Sequence, residues 1–128
     1  VRKGTDVTIV TFGKIIKVAE EAADALAKEN IHVEIIDLRT IRPLDYGTIV
    51  ESIKKTNRCV VLEESWPLAS ISSEIAYHLQ RYAFDYLDAP IQRITTADTP
   101  APYSPMLLKE WLPNATDVVK AVKKVTYK

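Results

Sequence analysis

Short β-branched and apolar runs alternate along this chain with stretches whose apolar residues recur at helical spacing, and few architectures accommodate that alternation. The runs 6–12, 33–37, 58–63 and 91–95 read as strands. The run 33–37 is almost continuously apolar, which suits a sheet covered on both faces. Between the strands, Ile15, Ala19, Ala22 and Leu26 form one apolar stripe, with Lys17, Glu20, Glu21 and Asp24 on the other side. Tyr46, Ile49, Val50 and Ile53 mark a second helix, Ile71, Ile75, Leu79 and Tyr82 a third, and Val118, Val119, Val122 and Val125 a last one. Strands and helices that alternate through short connections predict an α/β fold, a three-layer α/β/α sandwich around a mostly parallel sheet.

Asn30 closes the first helix, and cations at Lys54 and Lys55 suit the dipole at the end of the second. Asp45 and Ser70 are placed to cap the second and third helices. Asn114, after Pro113, reads as a cap for the last helix rather than as a glycosylation acceptor. From 97 to 113 the prolines Pro100, Pro102, Pro105 and Pro113 predict a long stretch without regular structure, the kind of loop that has a task or wraps a neighbour.

The stretch 34–45 brings an apolar strand into Arg39, Arg42, Pro43 and Asp45. Pro43 donates no amide and pushes Arg42 out of helical geometry, so the strand ends and the chain turns. Ligands and partners of open α/β sheets gather at this carboxyl edge. Two readings stand side by side. Either Arg39 and Arg42 hold the loop by pairing with nearby carboxylates, Glu63 or Glu64 at the next such edge, or they bind a ligand.

With 128 residues the chain fits one domain, residues 1–128, and without an initiator Met it reads as a piece of a longer protein. Seventeen basic and seventeen acidic side chains cancel, so charge gives no reason to expect nucleic acid or an anionic membrane as partner. The single cysteine, Cys59, excludes an internal disulfide and lies in an apolar run, which points to a buried strand thiol and a reducing compartment. No run approaches the length of a membrane span, and the first residues lack a signal-peptide core.

Motifs for chemistry are sparse. Gly13 stands alone after the first strand, so neither a dinucleotide fingerprint nor a P-loop is present. His32 and His78 have no metal-ligand spacing and read as surface or helix-packing residues. Neither Cys59 nor Ser65 sits in a Gly-x-Ser-x-Gly elbow. Trp66, Trp111, Tyr103, Phe84 and Tyr86 lie in or beside proline-containing loops, where aromatic rings either anchor interfaces or cover the end of the sheet.

Four motifs occur in order: Val-Glu-Ile-Ile-Asp-Leu-Arg-Thr-Ile-Arg-Pro-Leu-Asp at 33–45, Val-Leu-Glu-Glu-Ser-Trp-Pro at 61–67, Leu-Asp-Ala-Pro at 87–90 and Ala-Asp-Thr-Pro-Ala-Pro-Tyr at 97–103. Together they resemble the carboxyl-terminal domain of the β subunits of pyruvate dehydrogenase E1, from about Gly4 to the end of the chain. The resemblance implies a transketolase carboxyl-terminal fold whose sheet is mixed, its first strand antiparallel to the others. It implies a parent enzyme that uses thiamin diphosphate and Mg2+ to decarboxylate pyruvate and acetylate a lipoyl group of E2, in bacterial cytoplasm or the mitochondrial matrix. In that family the cofactor lies between the α subunit and the amino-terminal domain of the β subunit, so no catalytic, cofactor or metal residue is carried onto this chain, and the fragment alone is expected to be inactive.

What the resemblance assigns to this domain is assembly, with an E1 α subunit and a second β subunit in an α2β2 tetramer, and docking of the E2 peripheral subunit-binding domain. Asp88, Lys124, Tyr127 and Lys128 are the positions carried over for docking, with Trp66 as a further contact. Arg39, Arg42, Asp45 and Glu63 are assigned to the structure of the loops. Two departures from the family pattern are visible: Ser70 and Ser72 stand where glycines are usual, and Leu107-Leu108 where a Leu-Glu pair is usual. The competing reading is a free-standing α/β domain that binds a small anion through Arg39 and Arg42 or serves regulation.

Overall fold

The computed structural model describes residues 2–39, 45–64, 70–97 and 103–127. Strands β1 (Val7–Thr11), β2 (Val33–Asp37), β3 (Cys59–Leu62) and β4 (Gln92–Ile94) form one sheet in the order β2-β1-β3-β4, with every pair parallel. Helices α1 (Ile16–Ala27), α2 (Tyr46–Thr56), α3 (Ile71–Tyr82), α4 (Pro105–Trp111) and α5 (Ala115–Thr126), with short 3-10 turns at Gly13–Ile15 and Phe84–Tyr86, complete the described elements.

Because strand side chains alternate between faces, the sheet splits its apolar residues between two cores. Ile9, Val60 and Leu62 join Ala19, Ala22, Leu26, Val118, Val122 and Val125 on the side covered by α1 and α5. Val10, Cys59 and Val61 join Ile49, Ile53, Ile75 and Leu79 on the side covered by α2 and α3. All residues of β1 and β3 are buried, as central strands under helices on both faces must be. The three-layer α/β/α sandwich predicted from the alternation is the observed architecture. Each fully buried Ile or Leu contributes roughly 1.5–3 kcal/mol relative to exposure, so these two cores carry the stability of the fold.

The helix ends follow the sequence closely. Asp45 accepts the Thr48 amide at 3.1 Å, Ser70 accepts the Ser73 amide at 3.4 Å, and Asn114 with Asp117 forms a reciprocal capping box. The chain leaves α1 through Asn30 at φ 61° and α2 through Asn57 at φ 63°, left-handed positions that asparagine tolerates.

Two expectations are corrected. The stretch 97–113 is not uniformly irregular, because Pro105 opens α4 from its first turn, where a missing amide costs nothing. The first strand is not antiparallel to the rest: β1 runs parallel to both neighbours, and the antiparallel pairing among the described residues is a bridge upstream, between Arg2 and Ile35 on the outer edge of β2. Gly4 permits that crossing. A Cβ there would stand 2.4 Å from the Val33 carbonyl carbon, closer than any side chain allows.

Candidate interaction surface

A sheet covered on both faces offers partners its two ends and its outer strands. At the carboxyl end, Glu63 leaves β3 with none of its surface exposed. Its Oε1 accepts the Ser72 hydroxyl at 2.7 Å and the Ser72 amide at 3.3 Å, at the start of α3. The Arg93 guanidinium, on the neighbouring strand β4, donates to the hydroxyls of Ser70 and Ser72, each at 3.3 Å, and to that of Ser73. Ser72 is therefore the joint between a buried acid and an arginine.

This geometry overturns the expected pairing of Glu63 with Arg39. In the order β2-β1-β3, the ends of β2 and β3 are separated by β1, roughly 10 Å across two strand spacings. Arg39 is exposed, and Glu63 turns inward onto Ser72. Arg93 supplies the nearby cation, which sequence reading missed because only the β3–β4 register, Val61 opposite Arg93, brings it there. Glu64 is exposed, and Arg42 and Trp66 lie outside the described residues.

The opposite, amino-terminal end of the strands gathers the other candidates. The Tyr127 hydroxyl donates to the Asp88 carbonyl at 3.3 Å, so the end of α5 and the segment before β4 meet although they are far apart in sequence. The contact is held from beneath. The Asp88 amide donates to the Asn57 carbonyl at 2.8 Å, the Asn57 side chain donates to the Tyr86 carbonyl at 2.8 Å, and Arg58 Nε donates to the Val125 carbonyl at 3.1 Å. Asn57 and Arg58 were missed in the sequence, where they read only as a helix end and a strand start. Asp88 and Lys124 are exposed, and Lys128 lies outside the described residues.

Asp88 also borders a groove of about 480 Å³ between α3 and the chain entering β4, lined by Ala76, Gln80, Phe84, Leu87, Ala89, Pro90 and Ile91. Its walls are largely apolar, with an anion at the rim. Phe84 and Tyr86 are exposed, as is Tyr103, whereas Trp111 is partly buried. His78 is a helix-packing residue, stacked on Tyr46 with ring centroids 3.6 Å apart. Cys59 is a buried strand thiol, pushed up to about 12 by burial.

Among the described residues, no group of three or more His, Cys, Asp or Glu is placed to hold a metal ion. The glycine after β1 is a single one at φ 76° rather than part of a phosphate cradle. No helix among them is long and apolar enough to cross a membrane.

Residues 1–118 match the family Transketolase, C-terminal domain, and the chain belongs to that family. A solved structure of a split gene transketolase, an inactive β4 tetramer, shares the fold with a TM-score of 0.87 at 30% identity, over 98% of this chain and 41% of that one. A 2-oxoglutarate:ferredoxin oxidoreductase from Magnetococcus marinus has a TM-score of 0.63 at 17% identity, over 98% of this chain and 18% of that one, a likeness of fold alone.

Within the family, the resemblance to the carboxyl-terminal domain of pyruvate dehydrogenase E1 β subunits holds. The chain is 52% identical over 126 residues to the pyruvate dehydrogenase E1 component subunit beta of Rickettsia felis, and 50% identical over 125 residues to the mitochondrial one of Dictyostelium discoideum. Each alignment covers 98% of this chain, which spans only 39% and 35% of those relatives' lengths.

Proposed function

We propose that residues 1–128 are one domain of a longer β subunit, the part of a pyruvate dehydrogenase E1 that organises assembly rather than chemistry. The intact enzyme would decarboxylate pyruvate with thiamin diphosphate and Mg2+ held elsewhere, and would acetylate lipoyl groups of E2, in a bacterial cytoplasm or a mitochondrial matrix. This domain would contact an E1 α subunit and a second β subunit, and would dock the peripheral subunit-binding domain of E2. A split gene transketolase of the same fold forms a β4 tetramer, which supports self-association as a property of such domains.

The observation that carries the docking assignment is the contact of Tyr127 with Asp88, which makes one patch of two distant segments. In it the exposed Asp88 supplies an anion beside an apolar groove, with Lys124 exposed on the helix that ends at Tyr127. Lys128 completes the set carried over by resemblance, and Trp66 is a further partner contact proposed from its proline-containing loop. A rim anion of this kind governs encounter and register with a basic partner.

Calorimetric titration with the peripheral subunit-binding domain of E2 tests the reading. Asp88→Lys is expected to weaken binding about tenfold or more and to flatten its salt dependence. Unchanged binding would remove the patch from the interface. Heat released on adding thiamin diphosphate with Mg2+ to the 128-residue chain would overturn the division of labour.

A further inference from the structure

Glu34 lies on β2, at the edge of the sheet, and its side chain ties separate segments together. Oε1 accepts the Gly4 amide at 3.3 Å and Lys55 Nζ at 2.5 Å, and Oε2 accepts the Ser52 hydroxyl at 2.5 Å. The Ser52 hydroxyl lies 2.7 Å from that of Thr8 on β1, which lies 2.7 Å from that of Thr56. A buried file of hydroxyls thus runs from the carboxylate through β1 to α2. Two residues before Gly4, Arg2 closes its bridge on Ile35, accepting the Ile35 amide at 2.8 Å and donating to its carbonyl at 3.4 Å. These bonds occupy outward backbone groups of an edge strand, which are otherwise open to pairing with other chains.

We propose that the Glu34 carboxylate is a latch that holds residues 2–5 against the outer edge of β2, and that neutralising it releases them. The charged groups sharing the groove over it are Arg2, Lys3, Asp45, Glu51 and Lys55. Arg2 pairs with Asp24 at 2.6 Å, Asp45 caps α2, Glu51 pairs with Lys54 at 3.3 Å, and Lys3 is exposed. Just before β1, Asp6 accepts the His32 amide at 2.7 Å. Lys55 is therefore the cation that answers Glu34 directly. Burial pushes the Glu34 carboxyl up, but the hydrogen bonds from Lys55, Ser52 and Gly4, with the charge of Lys55, outweigh it and hold the group below its ordinary value. A carboxyl depressed in the folded state contributes above its unfolded pKa, and that contribution is lost as pH falls through the folded value. Acid opens the latch.

Amide NMR of the 128-residue chain tests this, with Val61 in β3 as the internal reference. In Glu34→Gln, exchange of the Gly4 and Ile35 amides is expected to accelerate about tenfold or more while Val61 keeps its rate. The Gly4 amide shift is expected to titrate in the acid range in the wild type and to lose that step in the variant. Lys55→Met, which keeps the acid and removes its cation, is expected to raise the midpoint of the step without abolishing it. Unchanged protection of Gly4 and Ile35 in Glu34→Gln, or equal acceleration at Val61, would overturn the latch.

Discussion

Removing the Ser72 hydroxyl is expected to destabilise this domain, and removing the Arg39 guanidinium is not. Glu63 is fully buried, its Oε1 rests on the Ser72 hydroxyl and amide, and its Oε2 has no partner among the described residues. Ser72→Ala leaves the amide and deletes the hydroxyl, and a buried hydrogen bond to an acid group contributes about 1.5–3 kcal/mol. The better helix propensity of alanine offsets about 0.5 kcal/mol of that loss, which leaves a net cost of about 1–2.5 kcal/mol. In a domain of 128 residues, 1 kcal/mol moves the melting point by about 3–5 °C, so Ser72→Ala is expected to lower Tm by about 3–12 °C. Arg39 is exposed, and Arg39→Ala is expected to change stability by less than about 0.5 kcal/mol. Paired thermal and urea melts measure both variants. A Ser72→Ala protein that melts with the wild type, or an Arg39→Ala protein that loses as much, would refute the assignment of Glu63 to Ser72.

Two further outcomes are expected. Cys59, with its thiol pushed up to about 12 by burial, is expected to resist iodoacetamide at mildly alkaline pH until urea unfolds the chain, as mass spectrometry of the labelled protein would report; rapid labelling of the native state would contradict its placement in the core. Asp45 is held below its usual carboxylate range by the side-chain and backbone hydrogen bonds of Thr48, so its capping contribution is present above that range and fades as pH falls through the lowered value. Urea titrations across the acid range are expected to show a shallower pH dependence for Asp45→Asn than for the wild type, and identical slopes would count against the cap.

The layers and the helix caps were legible in the sequence because they depend on local chemistry. Ile15, Ala19, Ala22 and Leu26 announce a buried helix face by spacing alone, and Asp45, Ser70 and Asn114 are short acceptors placed just ahead of helices. What stayed hidden depends on sheet order. Nothing near Glu63 in sequence announces that its strand end adjoins that of β4 and is shielded from that of β2, so an arginine 30 positions later matters where the two conspicuous arginines of 39–42 drew attention. The bridge from Tyr127 to Asp88 is of the same kind, since a helix end and a turn meet only after β3 and β4 have paired. Pro105 misled for a different reason: the residue that breaks a helix in its interior is favoured at its first position.

The two ends of the sheet therefore have opposite characters, and the difference bears on which end meets a partner. At the carboxyl end the acid of Glu63 is fully buried, and the Arg93 side chain is already engaged with serine hydroxyls, so a newcomer would have to break bonds that hold α3 to the sheet. At the amino end the backbone groups of Asn57, Tyr86 and Asp88 are bonded to one another and to Tyr127, while the Asp88 side chain and the Phe84 ring remain exposed beside an apolar groove. A surface whose backbone is already fixed loses little backbone freedom on binding, which lowers the cost of association. The usual rule for open α/β sheets favours the carboxyl end for small ligands. A partner protein needs a preorganised patch instead, and the docking proposed above would place that patch at the opposite end, around Asp88.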